Sequence, residues 1–168
     1  MNKKIDLNKL MQIAGEQDER IEEELYKFSI VFEKEFDLKY FLKNPRYASQ
    51  DKRKLAQSIF PGFSPLFWDL LELLIKEGLV DRIGELSKEF TKMVAEKNGK
   101  NYDVITFPEK PAKELMAKAK RKAGEEIVLR FEIDPSIIGG FIWKTMDGKM
   151  LDASLRGRLA QLKEEINA

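Results

Sequence analysis

The chain has 168 residues, 43% hydrophobic and 35% charged, enough for one domain or two small ones with a packed core under a solvated surface. Thirty Lys and Arg against 29 Asp and Glu leave a net charge of +1, which argues against a general polyanion binder. Neither Cys nor His occurs, so disulfides, Cys/His zinc sites and Ser-His or Cys-His nucleophiles are excluded.

The first hundred residues have helical periodicity. Ile5, Leu7, Leu10, Met11 and Ala14 predict a short amphipathic helix interrupted near Gly15. Ile21, Leu25, Phe28, Phe32 and Phe36 recur at spacings of three and four and predict a second. Asn44-Pro45 ends a short third helix, because the residue before proline disfavours helical dihedrals. Ser49 is placed to cap a fourth, with Leu55, Ile59 and Phe60, which Pro61-Gly62 breaks. Ser64-Pro65 is a strong start for a fifth, since serine accepts from orphan N–H groups and proline fits the first turn. It ends around Gly78, and a sixth with Ile83, Leu86, Phe90, Met93 and Val94 runs to Asn98-Gly99.

Beyond that point the pattern changes. Tyr102–Phe107 predicts a strand and Pro111–Lys122 a helix with a basic outer face. Glu126–Ile133 alternates, with Ile127, Leu129, Phe131 and Ile133 on one side. Phe141–Met146 and Lys149–Ala153 flank Asp147-Gly148, a favoured two-residue hairpin turn. Leu155, Leu159, Leu162 and Ile166 form the apolar seam of a last helix. The lysines at the N-terminus precede no long apolar run, so a secretory signal is not expected. No stretch approaches the roughly 18 apolar residues of a membrane span.

The fifth helix is the most informative feature. At about 100° per residue, Leu66, Phe67, Trp68, Leu70, Leu71, Leu73, Leu74 and Ile75 cover an arc of roughly 220°, wider than one core stripe needs. Two readings stay open: a central helix wrapped by its neighbours, or a helix with one face in the core and another in a groove for a partner helix. The run Lys118–Lys122 suits a helix C-terminus better than a nucleic-acid site. Asp134 and Asp152 read as turn residues rather than a catalytic pair, and Gly139-Gly140 lacks the rest of a phosphate loop.

The segment Asp134-Pro135-Ser136-Ile137-Ile138-Gly139-Gly140-Phe141, then Asp147-Gly148, then Leu151-Asp152-Ala153-Ser154-Leu155-Arg156-Gly157-Arg158-Leu159, resembles the C-terminal signature of F-type ATP synthase delta subunits, the bacterial counterparts of the mitochondrial oligomycin-sensitivity-conferring protein. Leu42-Lys43-Asn44-Pro45 and Glu77–Ile83 resemble the family's N-terminal half less closely. Leu7–Leu10, Leu79 and Thr106-Phe107-Pro108 depart from its usual motifs.

The resemblance implies a mainly α protein, an N-terminal six-helix bundle (residues 1–100) followed by a small C-terminal α/β domain (residues 101–168). It implies a non-catalytic stator subunit without cofactor or metal, peripheral on the cytoplasmic face of the inner membrane and touching the membrane only through its complex. The implied partners are the N-terminal helix of an alpha subunit, held in a groove between the first and fifth helices, and the b subunits of the peripheral stalk at the C-terminal domain. Leu7, Leu10 and Met11, with Phe67, Leu71, Leu74 and Ile75, are the expected groove residues. Phe141, Trp143, Leu155, Leu159 and Leu162 are expected in the C-terminal core. The rival classes are an unrelated interaction module and a nucleic-acid binder using Lys118–Lys122.

Overall fold

The computed structural model describes residues 6–167 and divides into two compact units, one ending at Val94 and the other beginning at Ala95. Ile5 lies outside the described residues. The protein is mainly helical with a small four-stranded sheet.

In the first unit, α1 (Leu7–Ala14) begins where the Asp6 carboxylate accepts from the amides of Asn8 and Lys9. It ends at Gly15, whose φ of +54° leads into a 3-10 turn. The second helix, α2 (Asp18–Lys34), carries Ile21, Leu25, Phe28 and Phe32, all fully buried. The expected seam stops there. Glu35 is extended, so Phe36 opens a new helix, α3 (Phe36–Lys43), and is 76% exposed. Asn44, also extended ahead of Pro45, ends α3. In α4 (Ser49–Ile59) the capping position falls on Ala48, and no side chain closes it. Ser49, expected as the cap, lies in the first turn.

Both α5 (Pro65–Lys76) and α6 (Ile83–Lys97) start and run as their sequence predicts, joined through a 3-10 turn at Val80–Arg82. Helices α1 to α6 all place side chains in one core. At its centre the Phe28 ring lies 5.1 Å from Phe60 and 5.4 Å from Phe67, with Phe32 at 6.0 Å. Aromatic pairs at such distances add to the area they bury.

The second unit is built on β1 (Asn101–Phe107), α7 (Lys113–Ala123), β2 (Ile127–Ile133), β3 (Ile142–Lys144), β4 (Met150–Asp152) and α8 (Leu155–Asn167). The strand order is β2-β1-β3-β4. Strands β1 and β2 are parallel, with Ile105 opposite Phe131, so α7 serves as their crossover helix. Strands β3 and β4 extend the sheet antiparallel.

The β3–β4 connection differs from the expected two-residue turn. The Thr145 amide donates to the Lys149 carbonyl and the Gly148 amide to the Thr145 carbonyl, which closes a three-residue loop with Gly148 at φ +85°. A glycine with positive φ in that place is the usual solution for a three-residue hairpin. The core here is small: Ile105, Phe107 and Leu129, with Phe131, Phe141, Trp143, Ala119 and Ala123 packed against it. Phe141 and Trp143 join it as expected. Leu155, Leu159 and Leu162 do not, being 49%, 58% and 52% exposed. Among the described residues the seam of α8 is exposed and joins neither core cluster.

Candidate partner-binding surfaces

Helix α5 is fixed at its start by a polar latch. Ser64 caps it by accepting from the Phe67 amide at 3.2 Å. Buried Glu24 of α2 then holds the cap from outside, accepting from the Ser64 amide at 2.7 Å and the Ser64 hydroxyl at 2.6 Å. Arg20 joins the same carboxylate at 3.0 Å and also donates to the Gly62 carbonyl. Every polar group drawn under the helix thus has a partner, as burial requires. Sequence patterning places Glu24 on a solvated helix side. Only the fold shows why a carboxylate sits there.

Burial resolves much of the wide apolar arc. Phe67, Trp68, Leu70, Leu71 and Leu74 are buried by the unit's own helices. Leu66 and Ile75 are half-buried at the two edges, and Leu73 is 50% exposed. Of the seven expected groove residues, Leu10, Phe67, Leu71 and Leu74 lie inside the core. Leu7, Met11 and Ile75 pack against its margin and keep accessible surface. Ile13 of α1, exposed and apolar, was not among the expected residues.

The second surface is α8, and the segment before it explains how that helix is launched. The Asp134 carboxylate accepts from the Ser136 amide at 2.9 Å and closes a turn. Hydrogen bonds from the Ser136 side chain and backbone hold the Asp134 pKa below its ordinary value. At Gly140, φ is +72°, and a Cβ would sit 2.1 Å from the Ala153 carbonyl oxygen, so only glycine fits. Asp152 accepts from the Ser154 amide at 2.9 Å, and bonds from the Ser154 side chain and backbone lower its pKa, with a smaller contribution from Arg156. The Ser154 hydroxyl, in turn, accepts from the Gly157 amide at 3.1 Å and caps α8. A Cβ on Gly157 would fall 2.7 Å from the Asp152 carboxyl carbon, so a side chain there displaces the carboxylate that closes this turn.

Asp134 and Asp152 therefore each serve a turn or a cap. Leu155, Leu159, Leu162 and Ile166 follow at spacings of four, three and four, the rhythm of a coiled-coil seam. All four are exposed, Ile166 by 82%.

A cavity of about 290 Å³ lies against the hairpin, lined by Asp103, Trp143, Thr145, Lys149, Met150 and Leu151. Its one buried carboxylate, Asp103, already accepts from the Trp143 indole at 2.8 Å and the Met146 amide at 3.3 Å. Asp103 thus fastens β1 to the hairpin. Sequence reasoning missed it, and its only signal is an acid between Tyr102 and Val104 in a strand. Among the described residues no group of three or more acids could hold a metal ion, and no helix is long and apolar enough to cross a membrane.

An exposed apolar seam on a capped helix is a surface of the kind that other chains cover. Residues 8–166 match the family model for the ATP synthase delta (OSCP) subunit, and the chain belongs to that family. It is 32% identical over 149 residues to the ATP synthase subunit delta of Solidesulfovibrio magneticus, covering 85% of this chain and 81% of that one. It is 29% identical over 167 residues to that of Desulfatibacillum aliphaticivorans, covering 94% and 91%. A chain of the Toxoplasma gondii mitochondrial ATP synthase hexamer shares the fold, with a TM-score of 0.54 at 19% identity over 96% of this chain and 95% of that chain. The protein is accordingly a delta-type subunit of a membrane-associated ATP synthase, and the role of that subunit is structural.

Proposed function

We propose that this subunit is the stator joint of its synthase, tying the catalytic head to the peripheral stalk so that ion-driven rotation is converted to ATP synthesis. The rotor drags the head with it unless the head is held, so the joint must resist torque and dissociate slowly. The first six helices act as one bundle (residues 1–100) that receives the N-terminal helix of an alpha subunit. The sheet unit with α8 (residues 101–168) receives the b subunits. The subunit is peripheral, on the cytoplasmic face of the inner membrane, and does no catalysis of its own.

The open seam of α8 carries this reading. Leu155, Leu159, Leu162 and Ile166 are exposed at coiled-coil spacing in a helix whose start is tied down by Ser154 and Asp152. Covering a leucine fully is worth about 1.5–3 kcal/mol, so a stalk helix laid on four such residues gains a durable contact. At the head, Leu7, Met11 and Ile75 offer the accessible apolar surface, while Leu10, Phe67, Leu71 and Leu74 support it from within.

Two titrations of the full-length protein test the reading. A peptide of the alpha subunit's N-terminal helix is expected to bind one-to-one by calorimetry, and Met11→Asp and Ile75→Asp to weaken it at least tenfold without unfolding the protein. A soluble b-subunit fragment is expected to lose affinity with Leu159→Asp or Leu162→Asp and keep it with Met11→Asp. Binding untouched by any of these changes overturns the assignment of surfaces. Failure of both partners to bind a folded protein overturns the stator reading.

A further inference from the structure

We propose that the outer face of α7 is a docking surface for an acidic protein segment, a helix with Asp or Glu at three- and four-residue spacing. Ala119 and Ala123 turn one side of α7 toward the sheet core. Away from that side, Lys118, Arg121 and Lys122 neighbour one another at three- and four-residue spacing, with Lys113 and Lys120 on the other flank; all five are exposed, and Glu114, the one acid on the helix, lies four residues before Lys118. None of these five cations has an acidic partner among the described residues.

Several cations of the helical unit are paired. Lys27 pairs with Glu23, Lys43 with Asp81, Arg53 with Asp69 and Glu72, Lys76 with Glu72, and Arg82 with Glu85. Within the near-neutral balance of the whole chain, Lys118, Arg121 and Lys122 thus form a cationic strip about 6 Å long on α7.

The strip is more than a solvated helix end. The helix dipole favours Lys120, Arg121 and Lys122 in the last turn, but its effect falls off before Lys118. Lys118 and Lys122 are four residues apart and Lys118 and Arg121 three, so like charges repel along the free face. An acidic partner helix relieves that repulsion and matches its period. Leu115, 46% exposed at the edge of the strip, adds an apolar contact suited to an amphipathic partner. Nucleic acid fits less well. The face has no aromatic side chain for stacking and no Asn, Gln, Ser or Thr to read bases.

The partner belongs to the same synthase, so the setting rests on the stator reading, but the first measurement does not. The full-length protein is titrated by fluorescence anisotropy with a helical peptide bearing Glu at four-residue spacing, with its Gln counterpart, and with a single-stranded oligonucleotide. The Glu peptide is expected to bind tighter than the Gln peptide and to weaken with added salt. Lys118→Glu, Arg121→Glu and Lys122→Glu, all at exposed positions, are each expected to weaken binding about two- to fivefold. Lys27→Glu, the same charge reversal at a paired site, is expected to leave it unchanged. Equal affinity for both peptides, or oligonucleotide binding tighter than the Glu peptide and lost in the same variants, overturns the proposal.

In the assembled synthase, carbodiimide is expected to join Lys113, Lys118 or Lys122 to Asp or Glu of another subunit, and acetylation of these lysines to slow. Unchanged lysine reactivity in a synthase that retains the protein overturns the proposal and leaves the stator reading intact. Absence of the protein from the purified synthase counts against the stator reading, and the peptide titration still decides the α7 face.

Discussion

Helices α5 and α8 carry the same kind of apolar pattern and meet opposite fates. In α5, Phe67, Leu71 and Leu74 disappear into a core shared with five other helices. In α8, Leu155, Leu159, Leu162 and Ile166 keep 49% to 82% of their surface open. Periodicity states that a helix has a face to cover. It does not state what covers it, and a chain that works inside an assembly leaves some of its faces to other chains.

That comparison can be broken by substitution, and the largest effects belong to α5. Phe67→Ala removes a fully buried ring in contact with Phe28, Phe63 and Trp68, and is expected to destabilise the helical unit by about 3–5 kcal/mol. Leu159→Ala, with its side chain already in water, is expected to change stability by no more than about 0.5 kcal/mol. Urea unfolding of the two variants checks this directly. A large loss from Leu159→Ala means that α8 is covered within the protein itself, and the docking assignment of its seam fails.

Next in size is the latch that makes α5 an interior helix. Glu24→Ala leaves the buried Ser64 amide without its acceptor and is expected to cost about 1–3 kcal/mol. Glu24→Gln keeps an acceptor oxygen and is expected to cost less. Ser64→Ala loses the cap of α5 together with the donor to Glu24, at about 1–2 kcal/mol. A double-mutant cycle between Glu24 and Ser64 separates the shared contribution. Additive losses contradict the latch.

How legible each region was in the sequence follows from the same physics. The start of α5 was visible because Ser64-Pro65 is a local signal that works through its own backbone. The end of α2 was not, because Phe36 continues the apolar spacing while Glu35 breaks the helix without a proline or glycine to announce it. Glu24 and Asp103 were invisible as buried acids, since Ser64, Trp143 and Met146, the donors that meet them across the fold, lie 40 residues or more away in the chain. The signature around Gly140 and Asp152 was recognisable as a string. Its reason is steric: the Ala153 carbonyl occupies the space where a side chain on Gly140 would go, and a side chain on Gly157 would push the Asp152 carboxylate from its turn. The candidate groove was legible only as an arc, and burial divides it into supporting residues and residues with surface to offer.

The smallest expected effect concerns the hairpin of the second unit. Asp147 is held at a pKa of about 2, below its ordinary 3.8, chiefly by a hydrogen bond from Lys149 and then by one from the Thr145 hydroxyl. The same pairing raises the pKa of Lys149. A folded-state pKa below the unfolded value means that the unfolded chain takes up the proton more readily. The contribution to stability is therefore complete above about pH 4 and is lost as pH falls through about 2. Asp134 and Asp152, lowered by Ser136 and Ser154, act in the same direction. Acid is thus expected to loosen the turns that carry the hairpin and launch α8. An NMR titration of the Asp147 carboxyl carbon reads this as a midpoint near 2, and Lys149→Ala is expected to return it toward 3.8. A midpoint that stays low in that variant means that Thr145, and not the charge of Lys149, sets the hairpin's acid response.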